Sequence, residues 1–163
     1  MNTATSLIHN LELEERFDDL VLTCPDKLPL IEEGNYDALV LTCRREQRFR
    51  RDLLAFKFRI VSQGAAFGVV LPGYCNLDFK RGRDRHLPER SKLAVWLRLI
   101  NAFAPEVSCK RVHLKTFGKF QFIVRVATSR GTLEHPLPTN EHYSQVTELL
   151  EVVGRITSSG SGV

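Results

Sequence analysis

The sequence is poor in the features that mark an enzyme or a membrane protein. None of its apolar runs approaches the roughly 20 residues that a bilayer-spanning helix needs. Its opening, MNTATSLIHNLELEERF, has no basic start and only a short apolar patch, so no secretory signal is expected and the expected location is cytoplasmic. The four cysteines (Cys24, Cys43, Cys75, Cys109) lie 19, 32 and 34 residues apart and form no CxxC pair. Most have apolar neighbours, which favours buried free thiols over a disulfide framework or a thiolate metal site. The five histidines show neither HxH nor HExxH spacing. His135 and His142, near Glu134 and Glu141, come nearest to a metal set, and exposed loop histidines are the simpler account. No GxxxxGK[ST] or GxGxxG occurs to cradle a nucleotide phosphate, and no nucleophilic triad can be assembled. Asp78, Asp84 and Glu89 bracket a basic stretch as a metal-dependent nuclease would require, but their spacing is not diagnostic. The expectation is a non-catalytic protein with no cofactor and no resident metal.

What the sequence does contain is segregated charge. At 163 residues, with 43% hydrophobic and 26% charged residues, it has the make-up of one soluble domain able to bury its own core. The net charge of +4 is distributed as −6 over residues 1–35, +13 over 36–130 and −3 over 131–163. A basic middle between acidic ends is the distribution of a nucleic-acid-binding core, although a solvated basic face alone would give the same tally. The expected layout is an acidic N-terminal arm over 1–30, a domain over 31–155 and a flexible tail over 156–163. Leu11–Leu22 is a candidate short helix within the arm, and the arm itself a candidate cover for the basic face.

The middle opens with an arginine-rich hairpin. Tyr36–Cys43 is apolar and β-prone. In Leu53–Val61, Leu54, Phe56, Phe58 and Ile60 fall on one face, and Ala55, Lys57 and Arg59 on the other. Between them RREQRFRR (Arg44–Arg51) holds five arginines in eight residues and is expected to be a cationic loop. A third strand is expected from Gly68 to about Phe79, broken or bulged at Pro72-Gly73 and partly at a sheet edge. Lys80–Arg90 (KRGRDRHLPER) is too polar to pack and is expected to be an exposed loop. Leu93, Trp96, Leu97, Ile100 and Phe103 recur at helical spacing, which predicts a helix over Glu89–Phe103 with Trp96 in the core. Val107–Lys115 is a further candidate strand, Thr116–Lys119 a turn, and Phe120–Ala127 an alternating strand. Tyr143–Val153 fits either a strand or a helix.

Three meandering strands, a helix and two more strands is the order of a small Greek-key barrel of the oligonucleotide/oligosaccharide-binding (OB) kind, with the helix between strands three and four. The fold class expected is therefore mainly β, a five-stranded OB-like barrel. The segments EEGNYDALVLTC, LLAFKFRIV, SKLAVWLRLI and KTFGKFQFIVRV also follow each other as in phage and plasmid OB-fold proteins of the single-stranded-DNA-binding type, which residues 32–130 resemble. The resemblance implies binding of single-stranded nucleic acid. One departure is ITSSGSGV, which lacks the acidic, aromatic-capped tip of bacterial single-strand-binding proteins, so a general recruiting role is not expected.

Single-strand binding asks for cations along a groove and aromatics on which bases stack. The candidate cations are Arg44, Arg45, Arg48, Arg50, Arg51, Lys57, Arg59, Arg81, Arg83, Arg85, Lys115 and Lys119. The candidate platforms are Phe49, which has no packing role at an exposed tip, then Tyr74 beside Pro72-Gly73, then Phe117 in the Lys115–Lys119 turn. The expected partner is single-stranded DNA or RNA, with no membrane involved. The alternative is an interaction or inhibitor protein of a mobile element that covers a partner protein with the same basic surface.

Overall fold

A computed structural model describes residues 26–48, 50–77 and 87–157. Its strands are β1 (Gly34–Arg48), β2 (Arg51–Ile60), β3 (Val70–Asn76), β4 (Phe120–Ser129) and β5 (Tyr143–Arg155). Among the described residues one helix, α1 (Lys92–Phe103), lies between β3 and β4, and short 3-10 turns cover Leu114–Lys119 and Thr139–Glu141. The strands form one mixed sheet whose hydrogen bonds close into a ring in the order β1-β2-β3-β5-β4, with β4 returning to β1. Every pairing is antiparallel except β3 with β5, which is parallel and rests on the single pair Gly73↔Val146.

Alternation in β2 and β4 creates the interior. Leu54, Phe56, Phe58 and Ile60 from β2 face Phe120, Phe122, Val124 and Val126 from β4 in one buried cluster. The apolar stripe of α1 (Leu93, Trp96, Leu97, Ile100) docks onto it. Trp96 meets Phe56 edge-on at 5.3 Å and Phe58 at 6.1 Å, and Phe117 meets Phe56 at 5.1 Å. Burying side chains of this size contributes about 1.5–3 kcal/mol each, so this aromatic group is the main anchor of helix to sheet. The helix begins later than the spacing predicts, because Ser91 is its N-cap and accepts the Ala94 N–H at 3.2 Å. Ser144, fully buried at the start of β5, bonds both backbone groups of Ile31, at 2.8 and 3.1 Å, and fixes the chain entering β1.

Pro72-Gly73 does not break β3. Ile60 N–H donates to the Val69 carbonyl and Leu77 N–H to the Asp52 carbonyl, so the hydrogen-bonded β2–β3 pairs fall on even residues of β2. Pro72 lies opposite Lys57, between such pairs, and its nitrogen faces the sparsely paired β5 edge where no N–H is needed. Gly73 permits the close approach of β5. A Cβ there would come within 2.7 Å of the Phe58 ring and 3.2 Å of the Val146 carbonyl oxygen.

Two further expectations are corrected and one open alternative is decided. Most of Arg44–Arg51 is not a loop: β1 runs to Arg48, β2 starts at Arg51, and Arg48 pairs with Arg51, with Arg50 at φ 61°. Val107–Lys115 is not a strand. Its apolar residues (Val107, Val112, Leu114) lack period-two spacing, and its end coils into the 3-10 turn. β5 is a strand throughout; register shifts along the β4–β5 ladder move its buried positions from Val146 to Leu149 to Val152, a three-residue step that resembles a helical stripe in sequence. The candidate helix Leu11–Leu22 and most of the acidic arm lie outside the described residues.

Candidate nucleic-acid interface

Residues paired across an antiparallel ladder point to the same side, so the register decides which cations share a face. In β2 the even residues from Leu54 to Ile60 are buried, which turns Arg51, Leu53, Ala55, Lys57 and Arg59 outward. Their β3 partners are Asn76 (Leu53), Tyr74 (Ala55), Pro72 (Lys57) and Val70 (Arg59). Their β1 partners are Arg48 (Arg51), Glu46 (Leu53), Arg44 (Ala55), Thr42 (Lys57) and Leu39 (Arg59). A bulge between Val40 and Thr42 resets the alternation of β1, leaves Leu41 exposed and brings Arg44 and Arg48 onto this outer side.

The outer face of β1–β2–β3 thus carries Arg44, Arg48, Arg51, Lys57 and Arg59 around a floor of Leu53, Ala55, Val70 and Pro72. Among the described residues of these rows, Glu46 is the one acid, and it pairs with Arg48 at 3.0 Å. Arg48 also lies over the Tyr74 ring, its guanidinium carbon 5.3 Å from the centroid, and Nη1 donates to the Tyr74 hydroxyl at 3.3 Å. A guanidinium held over a phenol by a cation–π contact and a hydrogen bond makes a cationic aromatic surface of the kind on which nucleobases stack.

The remaining candidates separate. Arg45 pairs in register with buried Leu54 and so points to the opposite side, where it bonds Asp52 Oδ2 at 2.6 Å. That hydrogen bond holds the Asp52 carboxyl below its usual range. Arg50 sits exposed in the turn. Lys115 and Lys119 are exposed on the 3-10 turn, beside β1 on the side away from β2, with Gly118 near the Val40 carbonyl. They are not in the rows. Phe117 is no stacking surface: it is fully buried against Phe56, because the 3-10 turn directs it inward. Phe49, Arg81, Arg83 and Arg85 lie outside the described residues.

Sequence reasoning missed a cleft of about 640 Å³ beside Tyr74, lined among the described residues by Tyr74, Asn76, Pro88, Arg90, Ser91, Lys92 and Gln145. The only sequence signal for it was Lys92 placed four residues before Trp96 on a helix, a spacing that brings the two side chains together. Chemically the surroundings are otherwise quiet. Burial pushes the Cys43 and Cys75 thiols up to about 12, which makes them inert as nucleophiles near neutrality. Among the described residues there is no cluster of His, Cys, Asp or Glu able to hold a metal, and no helix long and apolar enough to cross a membrane. No protein-family model, curated protein or solved structure matches this chain.

Proposed function

We propose that the chain is an OB-like Greek-key barrel that binds single-stranded nucleic acid, DNA in the first instance, without catalysis, across the outer face of β1–β2–β3. The strand order β1-β2-β3-β5-β4 with a helix between β3 and β4 is what that architecture requires. The observation that carries the functional reading is the convergence of Arg44, Arg48, Arg51, Lys57 and Arg59 on one face, around the Arg48–Tyr74 cation–π contact. In this reading the cations track the phosphates, while bases lie on the Arg48–Tyr74 platform and on the apolar floor. Each stacked base is worth about 1–3 kcal/mol, and each neutralised phosphate adds a salt-dependent increment.

Titration of a labelled oligothymidine, with wild type and with Arg44→Gln/Lys57→Gln/Arg59→Gln, tests it. Micromolar or tighter binding that is lost in the triple variant is the expected result. Wild-type protein that leaves the oligonucleotide free would refute the proposal and leave a protein partner as the occupant of the basic face.

A further inference from the structure

β3 and β5 pair in the ladder at one position, Gly73↔Val146, and the space beside that pair is only partly filled by the first turn of α1. The resulting cleft opens against Tyr74, the same residue that forms the platform on the outer face. It therefore borders the outer face at the β3 row.

Lys92 gives the cleft its chemistry. Its Nζ donates to the Tyr74 carbonyl at 2.9 Å and lies 4.9 Å from the centroid of the Trp96 ring. No carboxylate lies within ion-pair range of it among the described residues; Glu148 acts only from further away and is itself paired with Arg125 at 3.0 Å. A half-buried ammonium without a counter-ion is a costly arrangement, and desolvation accordingly holds its pKa below the usual lysine value. Two of its three N–H donors are left for another acceptor. Arg90, on the rim, likewise makes no ion pair among the described residues. Asn76 and Gln145 add amide donors around the same space.

We propose that this cleft is a phosphate subsite on the nucleic-acid track, in which Lys92 and Arg90 hold a backbone phosphate of the strand whose bases lie on the Arg48–Tyr74 platform. The proposal rests on the nucleic-acid reading above and extends its path past the edge of β3. A phosphate would supply an anion that Lys92 does not find among the described residues, so binding raises the Lys92 pKa. A lysine that served only to cover Trp96 and bond the Tyr74 carbonyl would show no such response.

The test compares wild type with Arg90→Gln/Lys92→Met, in which methionine keeps an apolar stem on Trp96 and removes the charge. The probes are oligothymidine binding across a salt series and NMR titration of the Lys92 side chain with and without the oligonucleotide. The expected result is a salt slope shallower by about 1.4, an affinity about 25-fold weaker near 0.1 M salt, and a Lys92 pKa that rises on binding. Unchanged slope and affinity in a variant that melts like wild type would overturn the subsite and leave the outer face intact. Failure of wild type to bind at all would remove both readings together. Should the double variant unfold, Arg90→Gln alone decides: the slope falls by about 0.7 if the subsite exists and stays unchanged if it does not.

Discussion

Arg44 and Arg45 are adjacent arginines, both exposed, and replacing either with glutamine lowers the net charge from +4 to +3. A protein attracted to nucleic acid only by its overall charge would respond equally to both changes. The register predicts different responses, because Arg44 shares the outer rows with Lys57 and Tyr74 while Arg45 lies on the opposite side, bonded to Asp52. Five outward cations, each releasing about 0.7 counterion per phosphate on a single strand, contribute about −3.5 to the slope of log K against log salt, to which Arg90 and Lys92 in the cleft add about −1.4. Raising salt from about 50 to about 200 mM should then weaken binding about 130-fold through the outer five alone. Arg44→Gln should have a slope shallower than wild type by about 0.7, bind about fivefold more weakly near 0.1 M salt, and lose about 2.6-fold less than wild type over the same salt range. Arg45→Gln should stay within about twofold of wild type with an unaltered slope, only an exposed, solvent-screened pair to Asp52 being lost. Fluorescence anisotropy of a labelled oligothymidine at four salt concentrations resolves these slopes. Equal losses in the two variants would refute the assignment of the binding face, whatever the wild-type affinity.

Four other outcomes follow from the packing. Gly73→Ala should cost about 1–3 kcal/mol in chemical denaturation, because the new methyl group meets the Phe58 ring at 2.7 Å where β3 touches β5. Phe117→Ala should cost about 3–5 kcal/mol by the same measurement, whereas Phe117→Leu should leave oligonucleotide affinity unchanged; a loss of affinity in folded Phe117→Leu would return Phe117 to the binding surface. At pH 8, alkylation followed by peptide mapping should modify exposed Cys109 and spare Cys43 and Cys75, whose burial holds them protonated. Since those two thiols titrate near 12 in the fold against a usual 9.0, the unfolded chain loses its protons first. Their contribution to stability is therefore intact below about pH 9 and is lost as pH rises toward 12, and Cys75→Val should flatten that alkaline decline in a pH series of denaturation curves.

Much of the framework was legible because β2, β4 and α1 each bury one clean face. Leu54, Phe56, Phe58 and Ile60 could only alternate as a strand, and Leu93, Trp96, Leu97 and Ile100 only as a helix. What stayed hidden lies where burial stops writing a pattern. The end of β1 extends beyond the core, so neither of its faces needs apolar residues, and its arginines looked like a loop. Phe117 looked exposed among lysines because a 3-10 turn can bury one residue without any period to reveal it. In β5, register shifts gave buried residues a spacing of three, between the strand and helix periods. The most consequential gap was the bulge after Val40. Before it even residues of β1 face the core; after it odd ones do, as Cys43 opposite buried Phe56 shows. Without that inserted residue Arg44 and Arg48 would point away from Lys57, and the outer face would hold Arg45 in their place. Composition could establish that the middle of the chain is basic, but only the bulge decides which arginines act together. For that reason the Arg44/Arg45 comparison tests the register and the binding face in one experiment, and no count of basic residues can stand in for it.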